Sequence, residues 1–186
     1  PTEDLPWARR EGESLFDSLN AEVSPDLIDV QLMSGRRISR LQLLSAIRER
    51  DVIHYSGHVK YHKESGATGW LLSDGKILRA REIEQSGSRP FLVFSNGCQP
   101  AAALDRSRTD DLARAFLRAG IGNYVDTNWE IGDSEDALKF ALNFYRSIFD
   151  ERTIGEALHE ARREARNKRG DLSWANYTLH GNPMAR

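Results

Sequence analysis

The stretch RPFLVFSNGC over 89–98 sets the strongest constraint on the fold, because Phe91, Leu92, Val93 and Phe94 follow one another without a polar break. A strand built this way carries apolar side chains on both faces. It needs cover on both, as in a parallel sheet sandwiched between helices. The segment DVIHYS over 51–56 is a second apolar run of strand length.

Around these two segments the chain alternates between helical and extended patterns. Asp4 and Pro6 open a helix whose apolar side carries Ala8, Leu15, Phe16 and Leu19. A short strand is expected at 28–33. Ser39 and Gln42 read as a capping box for a helix containing Leu41, Leu44 and Ile47. GWLLSDGKIL over 69–78 reads as a hairpin turning at Asp74-Gly75. A helix at 110–119 is stopped by Gly120, and a strand lies within 121–131. Ser134 opens a long helix with Ala137, Phe140, Ala141, Phe144, Tyr145 and Ile148 on one side. Thr153 and Glu156 form a second capping box, for a helix ended by Gly170, and WANYTLH over 174–180 reads as a last strand. The expected fold is a three-layer α/β sandwich with a mostly parallel central sheet and a small hairpin insertion.

Composition narrows the function classes. The chain has 186 residues, enough for one sizeable core. A net charge of -2 supplies no field that would draw in nucleic acid or an acidic membrane. No apolar run approaches the roughly 20 residues of a membrane span, and the start shows no signal-peptide pattern. No direct nucleic-acid binding and no membrane association are expected. Cys98 is the sole cysteine, so no internal disulfide can form. That fits a reducing, cytoplasmic setting and leaves a thiol for chemistry. The chain opens at Pro1 rather than at methionine, which suggests a piece cut or trimmed from a larger protein.

A lone cysteine is most simply a small buried hydrophobe. Its position argues for more. In open α/β sheets, sites form at the carboxyl ends of strands. DVIHYSGH ends at His58 and FLVFSNGC ends at Cys98, each beside a glycine, Gly57 or Gly97. If the two strands are parallel neighbours, thiol and imidazole meet at one edge of the sheet. A thiolate nucleophile with an imidazole acid–base partner follows. Glycine at both places lets the backbone turn and a substrate approach.

The blocks HYSGH and FSNGCQPA, taken together, resemble the signature of CHAT domains, relatives of caspases and separases. PTEDLPWARREGE resembles that family's first loop and helix, and GWLLSDGKILRAREI its hairpin and next helix. AFLRAGIGNYVDTNWEIGDSEDALKFALNFY resembles the later strand, Trp-containing loop and long helix. IGEALHEARREA with WANYTLHGNP resembles the closing helix and strand. The likeness spans nearly the whole of 1–186. It implies a caspase-like cysteine peptidase with Cys98 as nucleophile and His58 as acid–base residue. It also implies an oxyanion hole made by the backbone N–H groups of Val59 and Cys98, and no cofactor. Partners implied are a specific protein substrate and sensor or repeat modules that gate activity, often in prokaryotic defence or cell death. Two departures stand out. Val59 occupies a position where the pattern usually has glycine, and its Cβ would narrow the carbonyl pocket. The family's first strand is missing ahead of PTEDLPW, and is expected from upstream residues or another chain.

Plainer readings compete at each further position. His54 is expected to pack or to support His58. A metal held by His54, His58, His62 and Cys98 is disfavoured, because His-x₃-His pairs ligate mainly on helices and Gly57 follows a strand. His159 and His180 read as structural or surface residues. Trp129 and Asp133 in NWEIGD are candidate substrate contacts, with Glu130 and Asp126 weaker ones. The plain reading is a packed Trp and an acid favouring the next helix N-terminus. The basic run Arg162, Arg163, Arg166, Lys168 and Arg169 reads as a solvated helix face. Two other functions stay open: a catalytically inactive docking or regulatory module of the same fold, and a thiol-based redox or acyl-transfer enzyme. The redox version lacks a resolving cysteine.

Overall fold

A computed structural model describes residues 5–35, 38–62, 67–85, 87, 90–98, 106–129, 134–166 and 173–186, excepting some side chains within these spans, that of Cys98 among them. Its helices are α1 (Pro6–Glu22), α2 (Arg40–Glu49), α3 (Ala80–Glu84), α4 (Arg106–Arg118), α5 (Glu135–Phe149) and α6 (Ile154–Arg166). Its strands are β1 (Val52–His62), β2 (Ala67–Leu71), β3 (Ile77–Arg79), β4 (Leu92–Cys98), β5 (Asn123–Thr127) and β6 (Tyr177–Gly181), with a 3₁₀ turn at Ser173–Ala175.

The strands form one six-stranded sheet in the order β3-β2-β1-β4-β5-β6. β1, β4 and β5 are parallel, whereas β2, β3 and β6 join antiparallel. The sheet is therefore mixed, not mostly parallel. The hairpin is part of the central sheet, because β1 runs on to His62 and doubles back through β2 and β3. At the other edge, the turn at 173–176 feeds β6 back against β5. Direction there follows from the route of the connection, which local periodicity does not record.

Side chains alternate between two cores. On one face Leu92, Phe94, Val125 and Tyr177 pack against Leu15 of α1, Phe140, Phe144 and Tyr145 of α5, and Leu158 of α6. On the other, Val59, Trp70, Val93 and Tyr124 pack against Ile47 of α2, Ile83 of α3, and Leu112 and Phe116 of α4. The unbroken Leu92-Val93-Phe94 run feeds both cores in turn, and all three side chains are buried.

Both capping boxes form. Gln42 N–H donates to Ser39 Oγ at 3.3 Å, and Thr153 N–H donates to Glu156 Oε2 at 2.8 Å. Ser134 stands at the N-cap of α5 without a side-chain capping bond. Gly75 takes the positive φ of 80° that the hairpin turn needs, and donates to Leu72 O. The strand expected at 28–33 does not form. Leu27 and Leu32 there are exposed, and Arg50 holds the segment by bonding Asp29 and Gln31, so it runs as a strap. Gly170 lies outside the described residues.

Candidate active site

β1 and β4 pair in parallel from Val52↔Leu92 through Ser56↔Asn96 and Gly57↔Gly97 to His58↔Cys98. His58 and Cys98 thus face each other across adjacent strands, at the step where β4 stops. β1 continues past it, so His58 sits inside a strand rather than just beyond one. The backbone of Cys98 ends β4; its side chain is outside the described residues.

The two glycines act through space rather than through turning. A Cβ on Gly97 would come within 2.5 Å of Val59 Cγ2, and one on Gly57 within 2.7 Å of the Tyr55 hydroxyl. Tyr55 folds back across position 57, and its O–H lies 2.8 Å from His58 O and 3.0 Å from Leu71 O. Glycine at 57 lets this tyrosine brace the backbone of His58. Thr127 at the end of β5 donates its hydroxyl to Gly97 O at 2.8 Å, bracing the residue before Cys98.

Val59 corrects one sequence expectation. Strand alternation sends its side chain to the face opposite that of His58, where it is 5% exposed and packs in the α2–α3–α4 core over Gly97. Its Cβ does not enter the space on the His58 side. Val59→Gly is expected to empty that spot and loosen β1. Burial of Val contributes about 1.5–3 kcal/mol, and glycine in a strand adds about 0.5–1 kcal/mol. Chemical denaturation should show a loss of about 2–4 kcal/mol; an unchanged midpoint would contradict this packing.

Beneath His58, on its own face, lies a buried polar cluster centred on Glu11, a residue only 2% exposed. The Glu11 carboxylate meets His54 Nε2 at 2.7 Å, Ser56 Oγ at 3.1 Å, and Asn96 Nδ2 at 2.9 and 3.0 Å. His54 Nδ1 lies 3.1 Å from the Tyr145 hydroxyl, and the ring stacks on Phe94 at 5.1 Å. Burial, then the nearby Glu11 charge, pushes the Tyr145 phenol up, so it remains an O–H donor. A proton on His54 Nε2 then satisfies both ring contacts: Nε2–H donates to Glu11 and Nδ1 accepts from Tyr145. Tyr177 O–H donates to Asn96 Oδ1 at 3.2 Å, which closes the network against β6. His54 is thus a packed, supporting residue. No metal-ligand cluster occurs among the described residues; the side chains of His62 and Cys98 fall outside them.

Sequence reasoning missed Glu11, Asn96 and Thr127. For Glu11 a signal existed. Ala8, Glu11 and Leu15 are spaced as one helical stripe and are the buried residues of α1, so a charge stood in the apolar face.

Trp129 lies just after β5, 45% exposed. Its backbone is fixed by Asn176, which is fully buried: Trp129 N–H donates to Asn176 Oδ1 at 2.8 Å, and Asn176 Nδ2 donates to Trp129 O at 2.9 Å. Asp126 is buried and meets His180 Nε2 at 3.2 Å, on the opposite face from Glu11. It is engaged rather than open to a substrate. Glu130 and Asp133 lie outside the described residues, as do Lys168 and Arg169. Arg162 bonds Tyr177 O, and Arg166 lies over the Trp174 ring at 5.6 Å, so part of that basic face is structural.

A helix-covered mixed sheet with histidine and cysteine in register on neighbouring parallel strands fits a caspase-like α/β sandwich. The CHAT domain family model matches residues 2–182, and the chain belongs to that family of caspase-like peptidases. A search among curated proteins finds no match to the chain.

Proposed function

We propose that the protein is a cysteine endopeptidase acting through Cys98 and His58. The observation that carries this reading is the His58↔Cys98 register on two parallel strands, at the step where β4 ends. Family membership and the bracing of the backbone at His58 by Tyr55 and at Gly97 by Thr127 support it. In the proposed reaction, His58 takes the Cys98 thiol proton, and the resulting thiolate sulfur attacks the scissile carbonyl carbon. The resulting oxyanion is held by the backbone N–H groups of Val59 and Cys98. His58 delivers a proton to the leaving amine as the C–N bond breaks. It then takes a proton from water, whose oxygen attacks the thioester and releases the thiol. No cofactor takes part.

The substrate is proposed to be a specific protein partner, and the domain to be gated by sensor or repeat modules in a cytoplasmic prokaryotic defence or cell-death pathway. These elements rest on resemblance to the family. No described helix is long and apolar enough to cross a membrane. The alternative is a catalytically inactive docking or regulatory module of the same fold, for which the folded protein would give no Cys98-dependent cleavage.

Trp129 is proposed as an apolar wall of the substrate cleft, and Asp133 as the contact for a basic or uncharged P1 side chain. The sequence between 121 and 137 contains no Arg or Lys to pair with an acidic one. Fluorogenic peptides varied at P1, with Cys98→Ala as blank, test both the activity and the preference. Cleavage after Arg, Lys or neutral residues should exceed that after Asp, and Asp133→Ala should erode any preference for basic P1. Cleavage confined to Asp would refute the P1 assignment. An unaltered preference in Asp133→Ala would remove Asp133 from the pocket.

A further inference from the structure

We propose that Glu11 is a positioning residue for the Cys98–His58 pair, clamping its two strands in register; this rests on the dyad reading above. The clamp is geometric. Ser56 and Asn96 are register partners on β1 and β4, and both donate to the one Glu11 carboxylate. Each precedes its reactive residue by two positions, about 6–7 Å along the strand. A carboxylate accepts through two oxygens only. Here it accepts from His54, Ser56 and Asn96, which fixes it between the strands. Such charge-assisted bonds in a buried setting are short, directional and costly to leave half-made. His54 is held in turn by Tyr145, and Asn96 by Tyr177, so α5 and β6 fix the far sides of the clamp. Helix α1 therefore contributes a side chain that both dyad strands need in order to hold His58 level with Cys98. A substrate-facing role is excluded by its burial, at 2% exposure.

The sole cysteine in the sequence gives a direct readout. The second-order rate of iodoacetamide alkylation at Cys98 is measured across pH 5–10 on the intact protein, with the Cys98 peptide quantified by mass spectrometry. His58→Ala calibrates loss of the pair: its profile should shift toward that of an ordinary thiol, near pH 8.5. Glu11→Gln keeps the shape but places an amide donor against Asn96 and His54. It should shift the profile in the same direction and slow alkylation at pH 6.5 by about ten-fold. The double variant Glu11→Gln/Asn96→Asp exchanges donor and acceptor ends of one contact and should recover most of the wild-type profile. A purely structural role would lower the melting temperature without moving the pH profile of the folded protein. A folded Glu11→Gln with the wild-type profile, alongside a shifted His58→Ala, overturns this proposal and leaves the dyad standing. An unshifted His58→Ala profile overturns the dyad and this proposal with it. If Glu11→Gln does not fold, Ser56→Ala removes one donor only; a smaller shift in the same direction supports the clamp, and no shift overturns it.

Discussion

Cys98→Ala should reduce peptide hydrolysis to background, and His58→Ala should lower kcat/KM by about 10²–10⁴-fold, the range set by losing a general acid–base group. Both variants should keep the wild-type fold. The His58 side chain lies outside the two buried hydrophobic cores, and Cys98→Ala removes a single sulfur atom. His54→Ala serves as the contrast. It breaks contacts to Glu11 and Tyr145 and removes a ring stacked on Phe94, so its cost falls on stability and only in part on rate. Steady-state kinetics on one peptide, with melting curves in parallel, separate the three. Equal loss of activity in His54→Ala and His58→Ala, at equal stability, would undo the distinction between them.

Trp70→Ala should be the most damaging core substitution away from the site. Trp70 is fully buried, stacks on Tyr55 at 4.3 Å, meets Phe116 at a tilt with ring centres 5.0 Å apart, and donates to Ser95 Oγ at 3.0 Å. Truncation removes all of these and leaves a cavity that β2 cannot close without leaving β1. The expected cost is about 3–5 kcal/mol. For a domain of this size that lowers the melting temperature by about 6–20 °C. It also loosens Tyr55, the brace on the His58 backbone, so activity should fall at temperatures where the protein remains folded. Leu27→Ala, at a side chain 82% exposed, should change stability by less than about 0.5 kcal/mol. Similar effects from the two substitutions would mean that the α2–α3–α4 core is not organised around Trp70.

Local signals carried much of this fold. The capping boxes at Ser39–Gln42 and Thr153–Glu156, the turn at Gly75 and the apolar run before Cys98 each act over a few residues, and each could be read from the chain. The adjacency of β1 and β4 also followed, because two apolar strands joined through a hairpin and a helix favour a parallel pairing. What failed depended on distant partners. Residues 28–33 have strand-like composition but no strand to pair with. The direction of β6 depends on how the chain returns from α6. Asp126 read as an acid open to a cleft, yet its partner His180 arrives from the far edge strand. Glu11 falls in the buried stripe of α1 with Ala8 and Leu15, but the groups it binds, Ser56 and Asn96, come from β1 and β4 far along the chain.

Cleavage itself is the most direct test. A mixed, unbiased peptide library incubated with the intact protein, and separately with its Cys98→Ala variant, reports new amino termini by mass spectrometry. The account predicts a set of new termini with a shared sequence around the cut, present with wild type and absent with Cys98→Ala. New termini appearing at the same rate with both proteins would contradict Cys98 as nucleophile, and none with either would contradict the assignment of peptidase activity.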